Sequence, residues 1–189
     1  MQESDWDKAN TDRRGRVPMP SAGIWIRLKA FTLDYLWIFL YLCSVGLLTM
    51  VIAPNLQDYF NGPAGIAQLT GFLLLTLPVS LYFAIGDSFL FKGTYGKRKM
   101  KIQVVDGHGQ PIGIVRSIVR VILKFLPWEL SHFLVYRLVS LGEGEFPLHL
   151  MLIGSLVYLL IFVYILSVIF SKENRSLYDR LSGTKVVCL

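Results

Sequence analysis

Glu129 and His132 stand three residues apart in IVRSIVRVILKFLPWELSHFLVYRLV, residues 114–139, and Tyr136 follows seven residues after Glu129. On a helix these positions share one stripe. A carboxylate beside an imidazole can exchange a proton or hold a cation, and an ionisable group inside an apolar span is usually functional. On a surface helix the same glutamate would simply be solvated. Arg116, Arg120 and Lys124 recur in this stretch every four residues. With Lys97, Arg98 and Lys99 they suit anionic lipid headgroups or a soluble anion. Upstream, IRLKAFTLDYLWIFL (26–40) sets Arg27 and Asp34 on one helix face with the small Ala30 between them. In the tail, NRSLYDRLSGTKVV (174–187) supplies a further carboxylate, Asp179.

Other chemistry finds little support. No nucleophile, base and orienting group fall together, so no enzyme is expected. The stretch from Gly93 to Lys97 lacks the spacing of a phosphate-binding loop and reads as a tight turn. Cys43 and Cys188 have no ligand-like neighbours, so neither a metal nor a cofactor is expected. The basic clusters lack base-reading or stacking architecture, which argues against nucleic acid.

The elements that must position these groups are membrane helices. Of 189 residues, 53% are hydrophobic and 17% charged, with a net charge of +6; soluble domains carry about 25% charge. Three charge-free runs predict spans near 33–53, 67–86 and 148–170. Pro78 should disturb the second, since it removes one helical hydrogen bond. The polar residues of these runs are mostly serine and threonine, which suit helix packing better than a polar pathway. Residues 114–139 either cross as a fourth segment, near 118–139, or lie on the surface as an amphipathic helix. Lys and Arg are concentrated before the first span, in 87–117 and after the last. That distribution favours crossing, with both termini cytoplasmic. The expected fold is therefore an all-α polytopic membrane protein of four segments. A polar basic tail, 1–24, precedes the membrane domain, 25–189. The loop 87–117 should hold a small β-hairpin starting at Lys101–Asp106, and 171–189 forms a cytoplasmic tail.

Arg27-x-x-Ala30-x-x-x-Asp34, then GTYGKRKMKIQVVD, then RSLYDRLSGTKVV, in that order, resemble the motifs of the RDD family of bacterial membrane proteins. The family is named for an arginine and two aspartates, which by position fall on Arg27, Asp34 and Asp179. Tyr178 stands where the family often has histidine before the second aspartate. The resemblance implies an integral inner-membrane protein with a role in transport.

Two readings of function follow. In the first, the chain acts in transport or ion handling, as a homo-oligomer because one copy has few helices to enclose a pathway. Glu129 and His132 would be its protonatable or ion site. Arg27, Asp34 and Asp179 would be a charged cluster at the cytoplasmic rim, serving as a gate or a clasp on the tail. In the second, the chain is a scaffold whose basic face recruits a protein or anionic lipid. The lipid bilayer is its surrounding in both.

Overall fold

The computed structural model describes residues 19–142 and 145–189. Lys8, Arg13, Arg14 and Arg16, which enter the Lys and Arg distribution above, lie outside the described residues, as does most of the 1–24 tail. The first long helix, α1 (Ile24–Leu47), runs on through a π-helical turn, Leu48–Ile52. A short α2 (Leu56–Phe60) leads to α3 (Ala64–Gly71), a second π-helical turn at Phe72–Thr76, and α4 (Leu77–Asp87). A one-turn helix α5 (Tyr95–Lys99) and strand β1 (Ile102–Asp106) follow. The chain then forms α6 (Ile114–Leu141), α7 (Leu148–Ile169), α8 (Leu177–Leu181) and strand β2 (Thr184–Cys188).

Among the described residues three helices are long and apolar enough to cross a membrane: Ile24–Ile52, Ala64–Asp87 and Leu148–Ile169. The first starts well before the predicted residue 33. Arg27 and Asp34 do not delay the helix, because both find partners on other elements. Large apolar side chains such as Trp37, Leu40, Leu152 and Phe162 stay exposed around these helices, as expected of surfaces that face lipid.

α6 runs along two of these helices for its whole length. Near its start, the Ser117 hydroxyl donates to the Ala84 carbonyl at 2.7 Å. Further on, the Tyr164 hydroxyl donates to the Leu123 carbonyl at 2.7 Å, Leu134 packs on Gly154, and the Tyr136 hydroxyl rests against Gly71. α6 is thus antiparallel to both α3–α4 and α7. That arrangement packs 114–139 into the helix bundle beside two of the three candidate spans, and the four long helices run up-down-up-down.

Two prolines sit in this apolar framework, and two tyrosines answer them. Pro78 has no N–H for the Leu74 carbonyl, and the Tyr41 hydroxyl donates to it at 2.5 Å. Pro127 likewise leaves the Leu123 carbonyl free, which is where Tyr164 donates. In lipid an unmet carbonyl has no water to turn to, so each tyrosine restores a bond that its neighbour's sequence removed.

The start of α1, the end of α4, the start of α6 and the end of α7 share one end of the bundle. There β1 pairs antiparallel with β2, Ile102 opposite Cys188 and Asp106 opposite Thr184. The partner strand therefore comes from the tail and not from a local hairpin, which corrects the expectation for 87–117. Residues after β1 return to it through a single bridge, Val105 with Pro111, while Ile112 bridges Ser88. Ser21 bridges Val187, so the segment before α1 joins the same small sheet. Ala22, Ala30, Ile102, Val104, Ile112 and Val186 form its core.

Candidate functional site

The charged end is held together by a connected run of ion pairs. Asp179 receives Arg27 Nη1 at 2.7 Å on one oxygen, and Arg120 Nε and Nη2 at 3.0 and 2.9 Å on the other. Arg120 Nη1 continues to Asp87 at 2.8 Å, and Lys97 closes on the second Asp87 oxygen. One run thus ties α1, α8, α6, α4 and α5. Asp87, Arg120 and Asp179 are almost wholly buried. Arginine suits the hub because its planar fork presents several donors in fixed geometry.

Local sequence fixes each member. Ser176 caps α8, and Asp179, three residues on, accepts from the Ser176 N–H at 3.2 Å, making a capping box. Ser167 Oγ accepts from the Leu177 N–H at 2.8 Å and anchors α8 to the end of α7. Arg27 Nε donates to the Ala22 carbonyl at 2.9 Å, while its Nη2 is buried without a partner among the described residues. Burial alone would raise the Asp179 pKa, but Arg120 and Arg27 together hold the carboxyl below the usual carboxylate range. Burial pulls the Lys97 ammonium below its usual range, and the charge of Asp87 offsets this only in part.

Asp34 does not join this run. It accepts from the Tyr82 hydroxyl at 2.7 Å, the Thr94 hydroxyl at 2.6 Å and the Gly96 N–H at 2.7 Å. Its role is to dock the Gly93–Lys97 turn against α1 and α4. Ala30, one helical turn earlier, lets that turn approach. A Cβ on Gly96 would run into the Ala30 carbonyl. The turn itself uses Lys92 and Gly93 with positive φ and then winds into α5.

The sequence-predicted basic contacts divide. Lys97 and Arg120 are buried ion-pair members and not surface contacts, which corrects the expectation for both. Arg98 and Lys99 are exposed, and Arg116 is half exposed, 3.8 Å from Asp106. Lys124 sits 3.8 Å from the centre of the Phe83 ring, with Phe31 and Phe125 also near. Sequence reasoning missed Asp87, Tyr82 and Thr94. Asp87 did leave a signal, as the first charge after the charge-free run that ends at Gly86.

Glu129 and His132 lie elsewhere, about 13 Å along α6 from Arg120 by helical rise. Their closest approach is 3.7 Å, and Glu129 Oε1 is buried without a hydrogen-bond partner among the described residues. The Leu123–Tyr164 and Leu134–Gly154 contacts put Glu129 level with Tyr158, the middle of α7. It lines an almost wholly apolar cavity of ≈ 320 Å³ with Thr76 and Ser80. The Thr76 hydroxyl, at the end of a π-helical turn, is likewise buried without a partner.

Arg27, Asp34, the Gly93–Lys97 turn and Asp179 occupy one structural unit, and the RDD family model matches residues 21–183, spanning all of them. The chain belongs to the RDD family. No curated protein and no solved structure matches it. In this RDD chain the arginine and the second aspartate form a direct ion pair, and the first aspartate holds the central turn. Lys97 and Arg120 extend that three-residue signature through Asp87.

Proposed function

We propose that this RDD protein is a small ion-coupled transport component. Glu129 takes up and releases the coupling proton or cation, and the ion-pair run acts as the clasp that holds the cytoplasmic end closed. The observation that carries the reading is the unpartnered Glu129 oxygen at the mid-level of the helices. A carboxyl group there is costly, and ionisable residues kept at that depth usually mark an ion or proton pathway. His132 and Tyr136 are the titratable groups on its own helix face. Thr76 and Ser80 approach it from α3–α4 without charge.

In this reading the charged end faces the bacterial cytoplasm, where Lys and Arg collect, and the membrane is the inner one. No catalysis is assigned. The protein works as a homo-oligomer, because Glu129 remains about a quarter exposed in one copy, and a second copy would cover it from lipid. The rival is a scaffold, favoured by exposed Arg98, Lys99 and half-exposed Arg116 on the same face.

The test is ion flux in liposomes containing the pure protein, read with an internal pH dye. Flux that depends on protein and disappears in Glu129→Gln is the expected result. Equal pH-coupled flux in that variant rules Glu129 out. Absence of flux together with stable capture of a cytoplasmic partner favours the scaffold.

A further inference from the structure

The charged side chains gathered at the clasp do not balance. Among the described residues four cations, Arg27, Lys97, Arg120 and Lys124, meet three carboxylates, Asp34, Asp87 and Asp179. Three of the cations are paired. Lys124 has no carboxylate within 4 Å and no hydrogen-bond acceptor among the described residues. It is held over aromatic faces instead, which steady a cation without neutralising it. Asp34, the one carboxylate of the three without an ion pair among the described residues, is already filled by Tyr82, Thr94 and Gly96.

Lys124 lines a cavity of ≈ 240 Å³ between α1 and α7, two helices that do not pack along one another. Arg27, Lys97, Arg120, Asp34 and Ser176 line it too, already engaged in the bonds described above, and the rest of its lining is apolar or aromatic. Leu28, Phe31 and Ile165 line it while remaining exposed on the outer surface of the bundle. The cavity thus has one uncompensated cation inside and an apolar rim that faces lipid. Its volume lies below the roughly 300–1,000 Å³ of sites for drug-sized solutes. A headgroup would fit inside while its chains stay in the membrane.

We infer that this cavity is a binding site for one anionic phospholipid, whose phosphate pairs with Lys124 and whose acyl chains leave between Leu28, Phe31 and Ile165. The inference is independent of the Glu129 reading, since it concerns the other end of α6 and needs no flux. The phosphate supplies the missing negative charge, and the lipid wedges α1 and α7 together with the tail seated above them.

The full chain in zwitterionic detergent provides the test, with its unfolding temperature followed as phosphatidylglycerol is titrated in. A saturable rise is expected with phosphatidylglycerol and not with phosphatidylcholine. Lys124→Gln should weaken half-saturation about tenfold, and Lys124→Arg should restore most of it. Arg180→Gln, an exposed change of the same charge, should leave it unaltered. Ile165→Trp fills the mouth without changing charge, so it should weaken binding even if Lys124→Gln fails to fold. An equal loss in Arg180→Gln would replace the site by diffuse surface charge. The same shift with inorganic phosphate alone would overturn the lipid, and unchanged saturation in both Lys124→Gln and Ile165→Trp would overturn the site.

Discussion

Asp179 accepts from two arginines that approach from different helices, and it is fully buried. Asp179→Asn keeps the shape and removes the charge, leaving Arg27 without an ion pair and Arg120 with Asp87 alone. Breaking a buried pair in this way costs about 3–5 kcal/mol, so a large fall in unfolding temperature is expected. The pH dependence has a definite sign. The folded pKa is depressed, so the Asp179 contribution is complete above the unfolded value of about 3.9. It is lost only as the pH falls through the lower folded value. Protease sensitivity of the 171–189 tail should therefore stay flat through neutral and mildly acidic pH and rise only in strong acid. A rise near neutrality would show that another group controls the tail. The sequence marked Arg27 and Asp179 by type and position, but it could not pair them, because they are drawn together across most of the chain. Nor could it show that Asp34, one face away from neither, would be satisfied by two hydroxyls and an amide.

At the scale of elements, the long apolar runs were readable because hydrocarbon thickness sets their length. α6 was harder, since Arg120 and Lys124 look like surface charges until their partners on α4, α8 and the aromatic faces are known. β1 was readable as a strand by composition, yet its partner was not, because local turn signals favour the nearest pairing. Gly96 offers a sharp test of how the loop docks. A methyl group there would meet the Ala30 carbonyl carbon at 2.8 Å, and backbone on both sides limits relief. Gly96→Ala should destabilise by about 1–3 kcal/mol and loosen the Asp34 bonds, read as faster amide exchange at residue 96. Exchange and unfolding that match the parent would mean the turn can shift at no cost. Tyr164→Phe should be milder. It strips the donor from the carbonyl freed by Pro127, worth about 1 kcal/mol. The same change at Tyr41 should act alike for Pro78, and thermal unfolding of the two variants compares them directly.

For the whole molecule, the four long helices alternate in direction, so the segment before α1, the connection after α4 and the tail meet at one end. A reporter fused after Leu189 and another fused before α1 should give the same sidedness. Opposite signals would be incompatible with Ser21 bridging Val187. The bundle is thin, and its apolar flanks are exposed on most sides. Its strongest internal bonds therefore lie at one end, where charge is buried, and the opposite end depends on helix packing and lipid.

The pairing of β1 with β2 also fixes an order of events. Residues 184–188 are made after all four long helices, and Asp179 only shortly before them. Until then Arg27 and Arg120 have no Asp179 to meet, and β1 presents an open edge. The arginine near the start of the domain thus waits, through synthesis and insertion of every span, for a carboxylate near its end. Closure of the charged end becomes a late report that all four long helices have been laid down in alternating directions: a chain with one helix misplaced would carry its tail away from that end and leave it unsealed.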